Sequence, residues 1–96
     1  MLTGKQKGYL RSEAHHLKPI FQVGKLGVNE NLIEQITDVL EKRELIKVSI
    51  LQNCEMDKHD VAEAFENEAD AEIVQIIGNT IVLYKESTED KQIKLP

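Results

Sequence analysis

Apolar positions along the chain repeat first with helical and then with strand spacing, and the pattern predicts seven elements. Thr3 with Gln6 three residues later predicts a capping box that opens a first helix. Leu10, Ala14 and Leu17, spaced by four and three, form its apolar stripe. Gly8 lies inside this helix at a cost of about 1 kcal/mol relative to alanine. Pro19 restricts Lys18 and stops the helix. Ile20, Phe21, Gln22 and Val23 then predict a short buried strand, broken by Gly24-Lys25-Leu26-Gly27.

Asn29 or Asn31 caps a second helix that runs to about Arg43. Leu32, Ile33, Ile36, Val39 and Leu40 fall on one face of it. Residues 45–51 predict a strand with Ile46, Val48 and Ile50 on one side. Asp57 caps a third helix to about Glu68, with Val61, Ala62 and Phe65 facing inward. Residues 73–77 and 80–85 predict two strands joined by Gly78-Asn79, a dipeptide suited to a type I′ or II′ hairpin turn. Residues 86–96 are polar and predicted to fray. Helices between strands imply crossovers, and the final hairpin adds an antiparallel pair, so a mixed four-stranded sheet packed by helices follows.

Composition narrows the class. A chain of 96 residues, 41% hydrophobic and 30% charged, suits one small soluble domain. No apolar run approaches the roughly 20 residues that span a bilayer, and no apolar segment of secretory type follows Met1-Leu2-Thr3-Gly4-Lys5. The single cysteine, Cys54, is expected as a small buried hydrophobe, and a reduced, cytoplasmic setting fits it. The net charge of −5 argues against nucleic acid taken as a whole, but it is unevenly spread. Residues 1–28 carry +4 and residues 29–96 carry −9. A basic end on an acidic body can steer one face toward a polyanion.

The 24–27 loop is the most informative segment. Two glycines three apart let a backbone approach without Cβ obstruction, and the next helix directs its free N–H groups to the same place. A phosphate there would meet backbone donors and the Lys25 ammonium. Taken alone, the tetrapeptide is more often a tight strand-to-helix turn that simply needs glycine, because such loops are frequent. The spacings of the P-loop and of the dinucleotide fingerprint are absent. On the first helix, Lys7, Arg11 and His15 are spaced by four and line one face, either as a solvated surface or as a basic track beside the loop. His15 is expected to face RNA and His16 to be partly packed. As neighbours on a helix, both rings rarely reach one ion, so no metal site is assigned. Cys54 and His59 lack further ligands at zinc spacing. Asp57, Asp60 and Glu63 are expected as a cap and a solvated face. Phe21 and Phe65 are expected in the core, and no aromatic pair suited to base stacking lies on a strand. No nucleophile stands with a base and an orienting acid.

These residues resemble the CRM (chloroplast RNA splicing and ribosome maturation) domain family in its single-domain bacterial YhbY-type form. The resemblance covers about residues 2–85 and rests on Leu2-Thr3-Gly4-Lys5-Gln6, Leu10-Arg11, Ala14-His15-His16-Leu17-Lys18-Pro19, Gln22-Val23-Gly24-Lys25-Leu26-Gly27, Glu44-Leu45-Ile46-Lys47-Val48, Val74-Gln75-Ile76-Ile77-Gly78 and Leu83-Tyr84. It implies an α/β (α+β) two-layer sandwich in the order α-β-α-β-α-β-β, with a mixed four-stranded sheet similar to the C-terminal domain of translation initiation factor three. It also implies RNA binding through Gly24, Lys25, Leu26 and Gly27 with the basic first-helix residues Lys5, Arg11, His15 and Lys18. Two departures stand out. Lys7-Gly8 replaces a basic pair common in the family, and Glu68-Ala69-Asp70-Ala71 replaces a glycine after the third helix, which would force Asp70 into the left-handed region.

The chain is therefore expected to hold an RNA-binding domain at residues 1–85 and a polar tail at 86–96. The expected function is non-enzymatic binding of large-subunit ribosomal precursor RNA, with Lys7 extending the track and no cofactor, metal or membrane involved. A protein-interaction module is the alternative, in which Glu34, Asp38, Glu41, Glu63 and Glu66 meet a basic ribosomal protein. A small nucleotide-using enzyme is a further competitor, opposed by the missing phosphate motifs.

Overall fold

The structure is a computed structural model and describes residues 2–96; Met1, the first residue of the expected 1–85 domain, lies outside them. The elements are α1 (Gly4–Ala14), β1 (Pro19–Val23), α2 (Glu30–Arg43), β2 (Leu45–Ile50), α3 (Lys58–Glu68), β3 (Glu72–Ile77) and β4 (Thr80–Tyr84). The sheet order is β1-β2-β4-β3, with β1 and β2 parallel and the other pairs antiparallel. Each helix starts where a side chain supplies an acceptor. Thr3 and Gln6 form the reciprocal capping box of α1, Asn29 caps α2 and Asp57 caps α3. Gly78 has φ +55 and Asn79 does not share it, which suits a type II′ turn in the β3–β4 hairpin.

Strand alternation divides the core in two. Ile46, Val48 and Ile50 of β2 and Ile81 and Leu83 of β4 face α2 and α3, where they meet Ile36, Leu40, Val61 and Phe65. Each fully buried side chain of this size contributes roughly 1.5–3 kcal/mol. Leu45, Val82 and Tyr84 point the other way and pack with Leu10 and Ala14 of α1. The expected two-layer sandwich of sheet on α2 and α3 is thus present, and α1 adds a partial third layer on the opposite face. Helical and strand spacing specify which residues turn inward, but not which face of the sheet a helix selects.

Several local expectations are revised. Helix α1 ends at Ala14, before Pro19, so Leu17 leaves the apolar stripe and is exposed. β1 is an edge strand, and only Val23 of it is fully buried; Ile20 faces solvent and Phe21 is half-buried. His16 is exposed, with its ring edge-on to His15 at a centroid distance of 5.5 Å. Cys54 is half-buried against the larger core cluster.

Residues 86–96 do not fray. Ser87 is buried, and Ile93 and Leu95 cover the α1 side of the core. The amides of Ser87, Gln92 and Ile93 donate to the Glu44 carboxylate at 2.8, 2.6 and 2.7 Å. Glu41 accepts from the Thr88 amide at 2.8 Å and the Ser87 hydroxyl at 3.1 Å. The polar composition of this segment hid its partners, which lie more than forty residues earlier in the chain.

Candidate nucleic-acid interface

The 24–27 loop sits at the carboxyl end of β1, immediately before α2. It closes as a turn, with the Gly27 amide donating to the Gly24 carbonyl at 3.1 Å. Gly27 has φ +88, and Met56 packs where its Cβ would stand. The glycine is therefore required by local conformation and by packing. Gly24 differs: nothing lies within 4 Å of an added Cβ. The loop is fastened to the segment before α3, where the Glu55 amide donates to the Lys25 carbonyl at 2.7 Å and the Val28 amide donates to Met56 Sδ at 3.3 Å.

What this leaves outward is the tip. Lys25 is exposed and Leu26 is 80% exposed. Among the described residues, the amides of Lys25 and Leu26 make no hydrogen bond. A cationic side chain beside two unpaired amides, in front of a helix N-terminus, suits an anionic ligand.

The other predicted residues are only partly brought to it. Lys7, Arg11 and His15 follow one side of α1, with Lys7 half-buried next to the Leu10–Ala14 stripe and the other two exposed. Arg11 and His15, together with Ser12 and His16, border a shallow depression against Gln75 and Ile77 of β3. Lys18 is exposed in the connection to β1. Lys5 is exposed in the first turn, and its helical direction points away from the sheet and from the Arg11 side. β1 and β3 are the outer strands of the sheet, so three strand spacings, about 14 Å across the sheet, separate the strand that carries the loop from the one that borders the Arg11–His15 depression.

Lys47 was missed by the sequence reading. It shares the α1 side of β2 with Leu45 and stands level with Pro19, next to Lys18. Its alternation in β2 marked it as a surface residue, but only the placement of α1 shows which surface. Lys5, Lys7, Arg11, Lys18, Lys25 and Lys47 form no ion pair among the described residues. Part of the acidic excess lies on the α2–α3 face, while Glu72 and Glu86 lie beside the α1-side core. Glu34, Asp38 and Glu68 border a groove between α2 and α3.

A second groove, of about 380 Å³, adjoins the loop. Besides Lys25, its polar lining consists of Gln22, Asn29, Asn31 and Gln35, and it contains no carboxylate. No motif in the sequence signals these carboxamides, because they come from the edge strand and from two turns of α2.

The CRS1/YhbY (CRM) domain matches residues 2–85, which include every element from α1 to β4. The chain belongs to this family. It is 71% identical over all 96 residues to the probable RNA-binding protein YqeI of Bacillus subtilis, with both chains fully covered. It is 39% identical over 95 residues to an RNA-binding protein of Haemophilus influenzae, covering 99% of this chain and 95% of the relative. The solution structure of SAV1595 from Staphylococcus aureus, described as an RNA-binding protein candidate, superposes over the full length of both chains with a TM-score of 0.83 at 59% identity. CRM-family membership accounts for the element order and for the mixed sheet. No helix among the described residues is long and apolar enough to cross a membrane.

Proposed function

We propose that this CRM-family chain binds RNA without catalysing a reaction. The exposed Lys25, on a turn whose tip amides are unpaired, is the observation that carries the reading. A sugar–phosphate backbone lies over Gly24, Lys25 and Leu26, and Gly27 serves by shaping the turn. Lys18 and Lys47 extend the contact along the α1 side toward Arg11, His15 and Lys7. Lys5, which points elsewhere, contributes only to the long-range field. The acidic α2–α3 face repels RNA and so orients the molecule. The names of the relatives support RNA as the partner class.

The RNA we propose is a ribosomal precursor of the large subunit, as the family resemblance implies, met in a reducing cytoplasm, which the single cysteine suits. The acidic groove between α2 and α3 suits a basic ribosomal protein bound at the same time. Binding of fluorescent single-stranded RNA, followed as salt is raised, tests the core of the proposal. About four neutralised phosphates give a slope of log K against log salt near −3. A slope close to zero, or no binding at all, would remove the reading.

A further inference from the structure

We infer that the groove beside the 24–27 loop reads the base edge of an unpaired ribonucleotide, with Asn31 and Gln35 as its specificity-determining residues. This rests on the RNA-binding reading and deepens it. In a chain that is 30% charged, a groove whose polar lining is four carboxamides and one lysine is chemically distinctive. A carboxamide presents a donor beside an acceptor, the pairing that base edges also present. Carboxylates would repel the neighbouring phosphates, and none lines the groove.

The carboxamides are not equivalent. The Asn29 side-chain oxygen accepts from the Leu32 amide at 2.9 Å and is committed to capping α2, which leaves it only its NH₂. Asn31 and Gln35 are exposed, their side chains make no hydrogen bond within the described residues, and they stand one turn apart on the same side of α2. Both keep a donor and an acceptor available. Leu32 lies half-buried between them, and Leu26 is 80% exposed at the rim, so a base or ribose entering the groove also finds apolar surface. Lys25 is placed to hold the phosphate attached to that nucleotide. Duplex RNA has its Watson–Crick edges paired and its major-groove edges in a deep, narrow groove, so only an unpaired nucleotide presents a full base edge to these carboxamides. The occupant is therefore a single-stranded segment, and sequence preference arises on α2 while affinity arises on the loop and the basic side.

Anisotropy titrations of the full chain test this with single-stranded oligoadenylate, oligocytidylate and oligouridylate of equal length, and with a duplex of that length. The single strands should differ in affinity by about fivefold or more, the discrimination of one bidentate contact, and the duplex should bind more weakly than the best of them. The double variant Asn31→Ala/Gln35→Ala, at exposed helical positions where alanine favours the helix, should bring the single strands together without changing the salt slope. Lys25→Ala should do the reverse, lowering the slope and keeping the base order. The inference is overturned if wild type binds the strands equally, if the double variant keeps their order, or if the duplex binds as tightly. It is also overturned if adenosine monophosphate displaces the RNA at stoichiometric concentration, which would make the groove a mononucleotide site. If wild type binds none of the RNAs, the proposed function itself fails.

Discussion

Glu44 and Ser87 are both buried, and the Ser87 amide donates to the Glu44 carboxylate at 2.8 Å. Glu44 also stands at φ 64, where it ends α2, while its own amide still reaches the Leu40 carbonyl at 2.8 Å. A side chain with this φ is strained. Three backbone donors on one carboxylate offset both the strain and the burial of charge. The C-terminal segment is therefore part of the folded domain, closing over the α1 side of the core.

Glu44→Ala should destabilise the chain by about 3 kcal/mol, because three amides lose a charged acceptor in a buried setting. Glu44→Gln keeps one acceptor oxygen and should cost less. Urea unfolding measures both. Equal stability of Glu44→Ala and wild type would mean that the segment adds nothing.

Acid should release the same segment. Burial on its own would raise the Glu44 pKa, but the amides of Ser87, Ile93 and Gln92 outweigh it and hold the group below 4.5. Glu41 is likewise lowered, chiefly by the Thr88 hydroxyl. Groups with depressed folded pKa values stabilise the fold fully above the ordinary value and lose that contribution as pH falls through the folded value. The Thr88, Gln92 and Ile93 amides should therefore lose protection, relative to unstructured amides at the same pH, as pH falls below 4.5, before the β2 and β4 amides follow. Simultaneous loss of all these amides would count against a separately released strap.

Asp70 has φ 55 just after α3, and the Ala71 amide closes back on the Phe65 carbonyl at 3.2 Å. Asp70→Gly should relieve the left-handed backbone and stabilise by up to about 1 kcal/mol, an increase in Tm of several degrees. An unchanged or lowered melting temperature would show that the aspartate side chain compensates.

The two loop glycines should separate in their effects. Gly27→Ala places a Cβ on Met56 at φ +88 and should destabilise by roughly 2 kcal/mol or more. Gly24→Asp has open space and should leave thermal unfolding nearly unchanged while weakening RNA binding through its charge. Unfolding by Gly24→Asp would identify both glycines as purely structural.

Lys25→Ala should flatten the salt dependence of RNA binding by up to about one unit, with little effect on stability because the side chain is exposed. The same substitution at Lys5 should leave the slope near wild type, since that side chain points away from the loop and the Arg11 side. Equal losses at both positions would mean that net charge, and not this surface, sets affinity.

Local chemistry made much of this legible before any tertiary structure. The Thr3–Gln6 box, an α2 cap at Asn29 or Asn31, the Asp57 cap, the Gly78-Asn79 hairpin and the inward faces of α2 and α3 are consequences of short-range hydrogen bonding and of spacing along the chain, and the structure selects Asn29. The left-handed Asp70 was legible too, because a helix that stops without glycine must use another residue there. Tertiary structure alone decided which side of the sheet α1 covers, and so that Lys47 joins the basic side. It also decided that Met56 fills the space beside Gly27, that carboxamides from β1 and α2 share a groove, and that Glu41 and Glu44 hold the C-terminal segment. Most of these relations join residues far apart in sequence, and even β1 and α2, consecutive in the chain, meet only through how whole elements pack, which no local periodicity encodes.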